Sequence, residues 1–144
     1  MENNVAQRWI EFLAEEGYRP RLEAQEARPG QSLIRFKAEG TSFIAFAEES
    51  DPDFFHLAAA FDTAEEDIDV PVLLLTANDV NNEAKVVKTI VATEEKGVHF
   101  HVESFLGGTR LTPEYVERAM FQLHHAVEVF FSRVRPTHAP RLDA

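Results

Sequence analysis

His99 and His101 stand two residues apart in an alternating run, and Glu103 follows at the same spacing. Residues two apart in an extended chain project to one face, so two imidazoles and a carboxylate share a surface. His56 lies in a second strand-like run, which a sheet could set nearby. Imidazole and carboxylate together suit zinc, nickel or copper. The polar solvent face of an antiparallel sheet alternates in the same way, however. Without a thiolate or a helical His pair, the sequence assigns no metal ligand and no cofactor. His124 and His125 are adjacent; on a helix they point about 100° apart and cannot chelate together.

No other group of residues reaches a catalytic arrangement. The chain has no Cys, which removes disulfides, thiolate metal sites and cysteine nucleophiles. Ser32, Ser42, Ser50, Ser104 and Ser132 lack the context of a nucleophile elbow. Gly107-Gly108 precedes Thr109-Arg110, without the glycine spacing or the Lys-Ser/Thr pair of a phosphate loop. Asp62, Glu65, Glu66, Asp67 and Asp69 crowd one short segment. It lacks the sixth-position glycine and terminal glutamate of a calcium loop, so it is expected to be a solvated connection. Asn78, Asn81 and Asn82 could hold a polar ligand, but asparagine also closes helices and tolerates the left-handed conformation. Since no nucleophile, base and orienting group can be assembled from spacing, the chain is expected not to be an enzyme.

The elements that position these residues have an ordinary core to draw on. For 144 residues and 16.3 kDa, area scaling leaves roughly 7,500 Å² accessible out of about 23,600 Å² in the unfolded chain. The 44% hydrophobic content, with 12 Phe, argues against disorder. Against 14 Lys plus Arg stand 25 Asp plus Glu, a net charge of −11. Such a surface repels phosphate backbones and anionic headgroups, so neither nucleic acid nor a membrane is an expected partner. No window approaches the roughly 18 to 20 apolar residues of a membrane helix, and the start does not resemble a signal peptide. The expected location is the cytoplasm.

Along residues 4–16, Val5, Trp9, Phe12 and Leu13 fall on one helical face, and Gly17 sits where a C-terminal cap belongs. Residues 19–31, with Pro20, Pro29 and Gly30, show no sustained period and are expected to form an irregular connection. Three strands follow: residues 33–38, residues 43–47 after a Glu39-Gly40 turn, and a run with Phe55, Leu57, Ala59 and Phe61 on one face and His56, Ala58 and Ala60 on the other. Pro71 opens a helix over 72–82. Residues 85–93 and 97–105 form two more strands. Thr112-Pro113-Glu114 starts a last helix. Its stripe is Val116, Met120, Leu123, Val127, Phe130 and Val134.

The expected fold is therefore α+β, α-β-β-β-α-β-β-α, with a five-stranded antiparallel sheet and helices on one face. It forms a single domain over residues 1–136, and residues 137–144 are expected to be a disordered tail. This order resembles the type III secretion chaperone fold. Residues 77–88, where a helix ends in Asn78, Asn81 and Asn82 before Lys85 and Lys88, resemble the corresponding part of the YbjN-like family. The following strand hairpin and the Thr-Pro-initiated helix with Phe130-Phe131 continue the likeness. The resemblance implies a bacterial protein, sometimes described as a sensory transduction regulator, with chaperone-like shape and no catalytic residues to carry over. It also raises the expectation of a homodimer, since such chaperones often pair.

The run Phe43-Ile44-Ala45-Phe46-Ala47 is apolar on both faces. If Phe43, Ala45 and Ala47 meet the helices, Ile44 and Phe46 join Ala58 and Ala60 in an apolar patch on the opposite face, a surface for a protein partner or a second copy. The alternative is that residues 19–31 cover it. The leading expectation is a non-enzymatic protein-binding module, chaperone-like or regulatory, whose partner the sequence does not name. A small-ligand or metal sensor built on the histidine-bearing strand is the expectation from a different class.

Overall fold

Asn4–Glu15 forms helix α1, burying Val5, Ala6, Trp9 and Leu13 along one face. The computed structural model describes residues 4–108 and 110–135; the expected tail, residues 137–144, lies outside them. Gly17 ends α1 at φ +93. The Gly17 amide donates to the Ala14 carbonyl and the Tyr18 amide to that of Leu13, the paired bonds that close a helix through a left-handed residue.

Six strands follow in two groups: β1 (Arg21–Arg28), β2 (Gln31–Ala38), β3 (Thr41–Glu48) and β4 (Phe54–Asp62), then, after helix α2 (Val70–Glu83), β5 (Val87–Ala92) and β6 (Gly97–Phe105). Helix α3 (Pro113–Val134) completes the α+β chain. The strands make one sheet in the order β1-β2-β3-β4-β6-β5, with every neighbouring pair antiparallel. The sheet therefore has six strands, not the expected five. The extra one is β1, which occupies the segment expected to be an irregular connection. Its hydrogen bonds to β2 hold it although its described side chains, at 21–23 and 28, are exposed, Leu22 at 43%, and its register slips twice. An edge strand held by backbone hydrogen bonds need not show a period-two pattern. The chemistry of its turn was visible, because Pro29 followed by Gly30 at φ +78 has the order of a type II turn.

One face of the sheet carries the core. Ile34, Phe36, Phe43, Ala45, Ala47, Phe55, Leu57, Phe100 and Val102 are buried there in a single cluster with the helices. The Trp9 ring of α1 lies 5.5 Å from Phe55, and the Phe130 ring of α3 meets Phe100 at 5.5 Å. Leu73, Ala77 and Val80 of α2 join the same cluster. The long C-terminal helix starts as its sequence implies, with the Thr112 side chain accepting from the Tyr115 amide. Its buried stripe is Val116, Ala119, Leu123, Ala126, Phe130 and Val134; Met120 and Val127 are only half-buried at its margin.

Candidate functional site on the open sheet face

Strand alternation sends the other half of the side chains to the opposite face, away from the three helices. Register fixes their neighbours. Ile44 of β3 pairs with Ala58 of β4, Ala58 with His101 of β6, and His101 with Lys88 of β5. One step along, His56 pairs with Glu103; in the other direction, Ala60 pairs with His99 and His99 with Ile90. Ile44, Phe46, Ala58 and Ala60 thus share this face. Ile44 and Phe46 are half-buried, Ala58 is buried and Ala60 is exposed. Of residues 19–31, the expected alternative cover, 21–28 lie beside β2 as an edge strand.

An aromatic strip crosses the same face. Phe46 stacks on His56 with ring centres 4.0 Å apart and planes 14° from parallel. Phe54 meets His56 at 5.7 Å and Phe105 at 5.8 Å. Phe105 is 69% exposed and Ile90 is 41% exposed.

Within this strip sits the polar cluster. His56 Nε2 lies 2.8 Å from His101 Nδ1 and 3.3 Å from Glu103 Oε2. Lys88 Nζ donates to the other carboxylate oxygen, Oε1, at 3.1 Å. An ionised carboxylate only accepts, so the shared proton belongs on His56 Nε2, and His101 Nδ1 turns a lone pair toward it. Burial, reinforced by the His101 imidazole, pushes the His56 pKa down to about 4. Burial, with His99 nearby, pushes that of His101 down to about 4 as well. Burial alone would raise the Glu103 pKa, but the Lys88 hydrogen bond and the imidazoles outweigh it and hold that pKa below the ordinary value.

The spacing of His99, His101 and Glu103 placed all three on one face, and the structure agrees. The donors that converge, however, are His56, His101 and Glu103, within 4.8 Å of one another. The His99 ring centre lies 6.0 Å from that of His101, and its strand position faces Ala60 and Ile90. The missing signal was that β4 lies beside β6 although α2 and β5 separate them in sequence.

Several of the remaining candidates have structural partners. Asn81 grips the backbone of Thr89, donating to its carbonyl at 3.0 Å and accepting from its amide at 2.7 Å; this ties the end of α2 to the edge strand β5. His124 pairs with Glu128 at 3.2 Å, and His125 stacks over Phe121. In the acidic segment, Asp62 accepts from the Ala64 amide and Glu66 pairs with Arg135 of the C-terminal helix end. A concavity of about 320 Å³ opens between α2 and α3 beside Val80, Lys85, Phe121 and His125. Val86, next to it, holds φ 56, a strained value for a β-branched residue.

No helix among the described residues is long and apolar enough to cross a membrane. No family model matches the chain, and neither does a curated protein. Among solved structures, the fold is similar to the crystal structure of an uncharacterized protein from Methanothermobacter thermautotrophicus, with TM-score 0.69 and 12% identity over 92% of this chain and 97% of that one. At that identity the likeness is one of fold alone.

Proposed function

We propose that the chain is a non-enzymatic protein-binding module, chaperone-like or regulatory, that receives an apolar segment of a partner protein on its open sheet face. The observation that carries this is the one-sided cover of the sheet: the helices bury one face, while Ile44, Phe46, Phe54, Phe105 and Ile90 stand on the other, all at least partly exposed. A lone exposed apolar residue is ordinary, whereas several aromatic and aliphatic residues gathered on one uncovered sheet face mark an interaction surface. Ala58 and Ala60 add small side chains, over which a partner backbone can approach closely. The relationship to YbjN-like and type III secretion chaperone folds belongs to the same proposal; the order of seven elements besides β1 and one long C-terminal helix supports it.

The experiment is Ile44→Glu with Phe46→Glu. Two charges on the strip should abolish recovery of the partner that the wild type captures from the source cell, while circular dichroism shows the variant folded. A homodimer through this face would appear in sedimentation as a wild-type dimer that the double variant reduces to monomers. Unchanged partner recovery and unchanged sedimentation would exclude the face as the binding surface.

A further inference from the structure

The geometry points to a binding site for a divalent first-row transition ion, of the zinc, nickel and copper class, formed by His56, His101 and Glu103 on the open sheet face. Three donors from two strands lie within 4.8 Å of one another, and both separations from His56 suit a common ion. With bonds of about 2.05 Å, nitrogens 2.8 Å apart subtend about 85° at a metal, and a nitrogen and oxygen 3.3 Å apart subtend about 105°. The first approaches the roughly 90° of facial coordination and the second the roughly 109° of a tetrahedron. Two imidazole donors select against magnesium and calcium, which take oxygen ligands.

Elements around the cluster prepare it. The Phe46 ring lies flat against His56 and restricts rotation of that imidazole. Ala58, directly opposite His101, leaves space for the His101 ring to lean toward His56. Lys88 occupies Oε1 of Glu103 and so fixes the carboxylate with Oε2 turned to His56. Without an ion, one proton serves two facing imidazole nitrogens and a carboxylate oxygen. A metal replaces it once His56 moves its proton to Nδ1, giving each donor a partner without charging either imidazole. His101 is half-buried and Glu103 exposed, so an ion can enter from solvent, and the net charge of −11 draws cations toward the protein. Three protein donors leave coordination positions open outward, as in sites that keep a place for an outside ligand. The charged and titratable groups around the site are Lys88, held by Glu103, Arg28, held by Glu48, and His99, its ring centre 6.0 Å from that of His101; the two cations oppose the ion, and their paired carboxylates offset them.

The test is titration of the purified full chain, stripped with chelator, by zinc chloride at pH 7.5 in a calorimeter. One zinc per chain should bind with micromolar or tighter affinity. His101→Gln and Glu103→Gln should each weaken it at least tenfold, whereas His124→Gln with His125→Gln should leave it unchanged. Should a glutamine variant fail to fold, ring ¹⁵N resonances of the wild type decide: zinc should shift those of His56 and His101 and leave those of His124 and His125 in place. Absence of zinc uptake by the wild type, equal affinity in folded glutamine variants, or shifts confined to His124 and His125 would each overturn the site.

Discussion

His56 and His101 are diagonal neighbours across β4 and β6: His56 lies opposite Glu103 and His101 opposite Ala58, yet their ring nitrogens meet at 2.8 Å. Diagonal pairs in antiparallel sheets stay within reach of long side chains, and here the alanine opposite His101 leaves room for the ring to tilt. Two imidazoles are thereby held neutral beside the rings of Phe46 and Phe54.

This pair makes stability depend on pH. In the unfolded chain a histidine titrates near pH 6.5, whereas both fall to about 4 in the folded protein. Between those values the unfolded state binds more protons, so stability rises with pH through that window and is lost as pH falls from 6.5 toward 4. For a coupled pair the loss should total about 2 to 4 kcal/mol. Urea midpoints of metal-free protein at pH 7 and pH 5 should show it, and His101→Gln should flatten the difference. Equal slopes in wild type and variant would mean that the imidazoles are solvated.

Phe130→Ala should destabilise by roughly 3 to 5 kcal/mol. The side chain is fully buried, its ring meeting Phe100 at 5.5 Å and Phe131 at 5.1 Å. Chemical denaturation measures the loss; an unchanged midpoint would show that the α3 stripe repacks without a cavity.

Asn81→Ala should cost about 1 to 3 kcal/mol, because it strips two hydrogen bonds from the Thr89 backbone at the sheet edge. Amide exchange at Thr89 should accelerate more than exchange at Phe100 in the sheet interior. Uniform acceleration across the sheet would instead indicate a general loss of stability.

Much of this architecture was legible in the sequence wherever burial imposes a period. Alternation in residues 97–105 and around His56 assigned the correct faces, and the stepping from Val116 to Val134 located the last helix. The segment 21–28 was not legible, because an edge strand held by backbone hydrogen bonds need not alternate. The histidine cluster was half legible. Period-two spacing put His101 beside Glu103 on one face, but bringing His56 to them required the crossover through α2 that seats β4 against β6, and local patterning carries no record of non-consecutive pairing.

The central claim, that the open sheet face is where a partner sits, is tested most directly by site-specific photo-crosslinking in the source cell. A photoreactive residue replaces Ala60, exposed on that face, and in a separate protein Asp79, exposed on α2. A discrete crosslinked species, to a partner or to a second copy, should form from position 60 and be absent from position 79. The same products from both positions, or none from position 60 while position 79 crosslinks, would contradict the account.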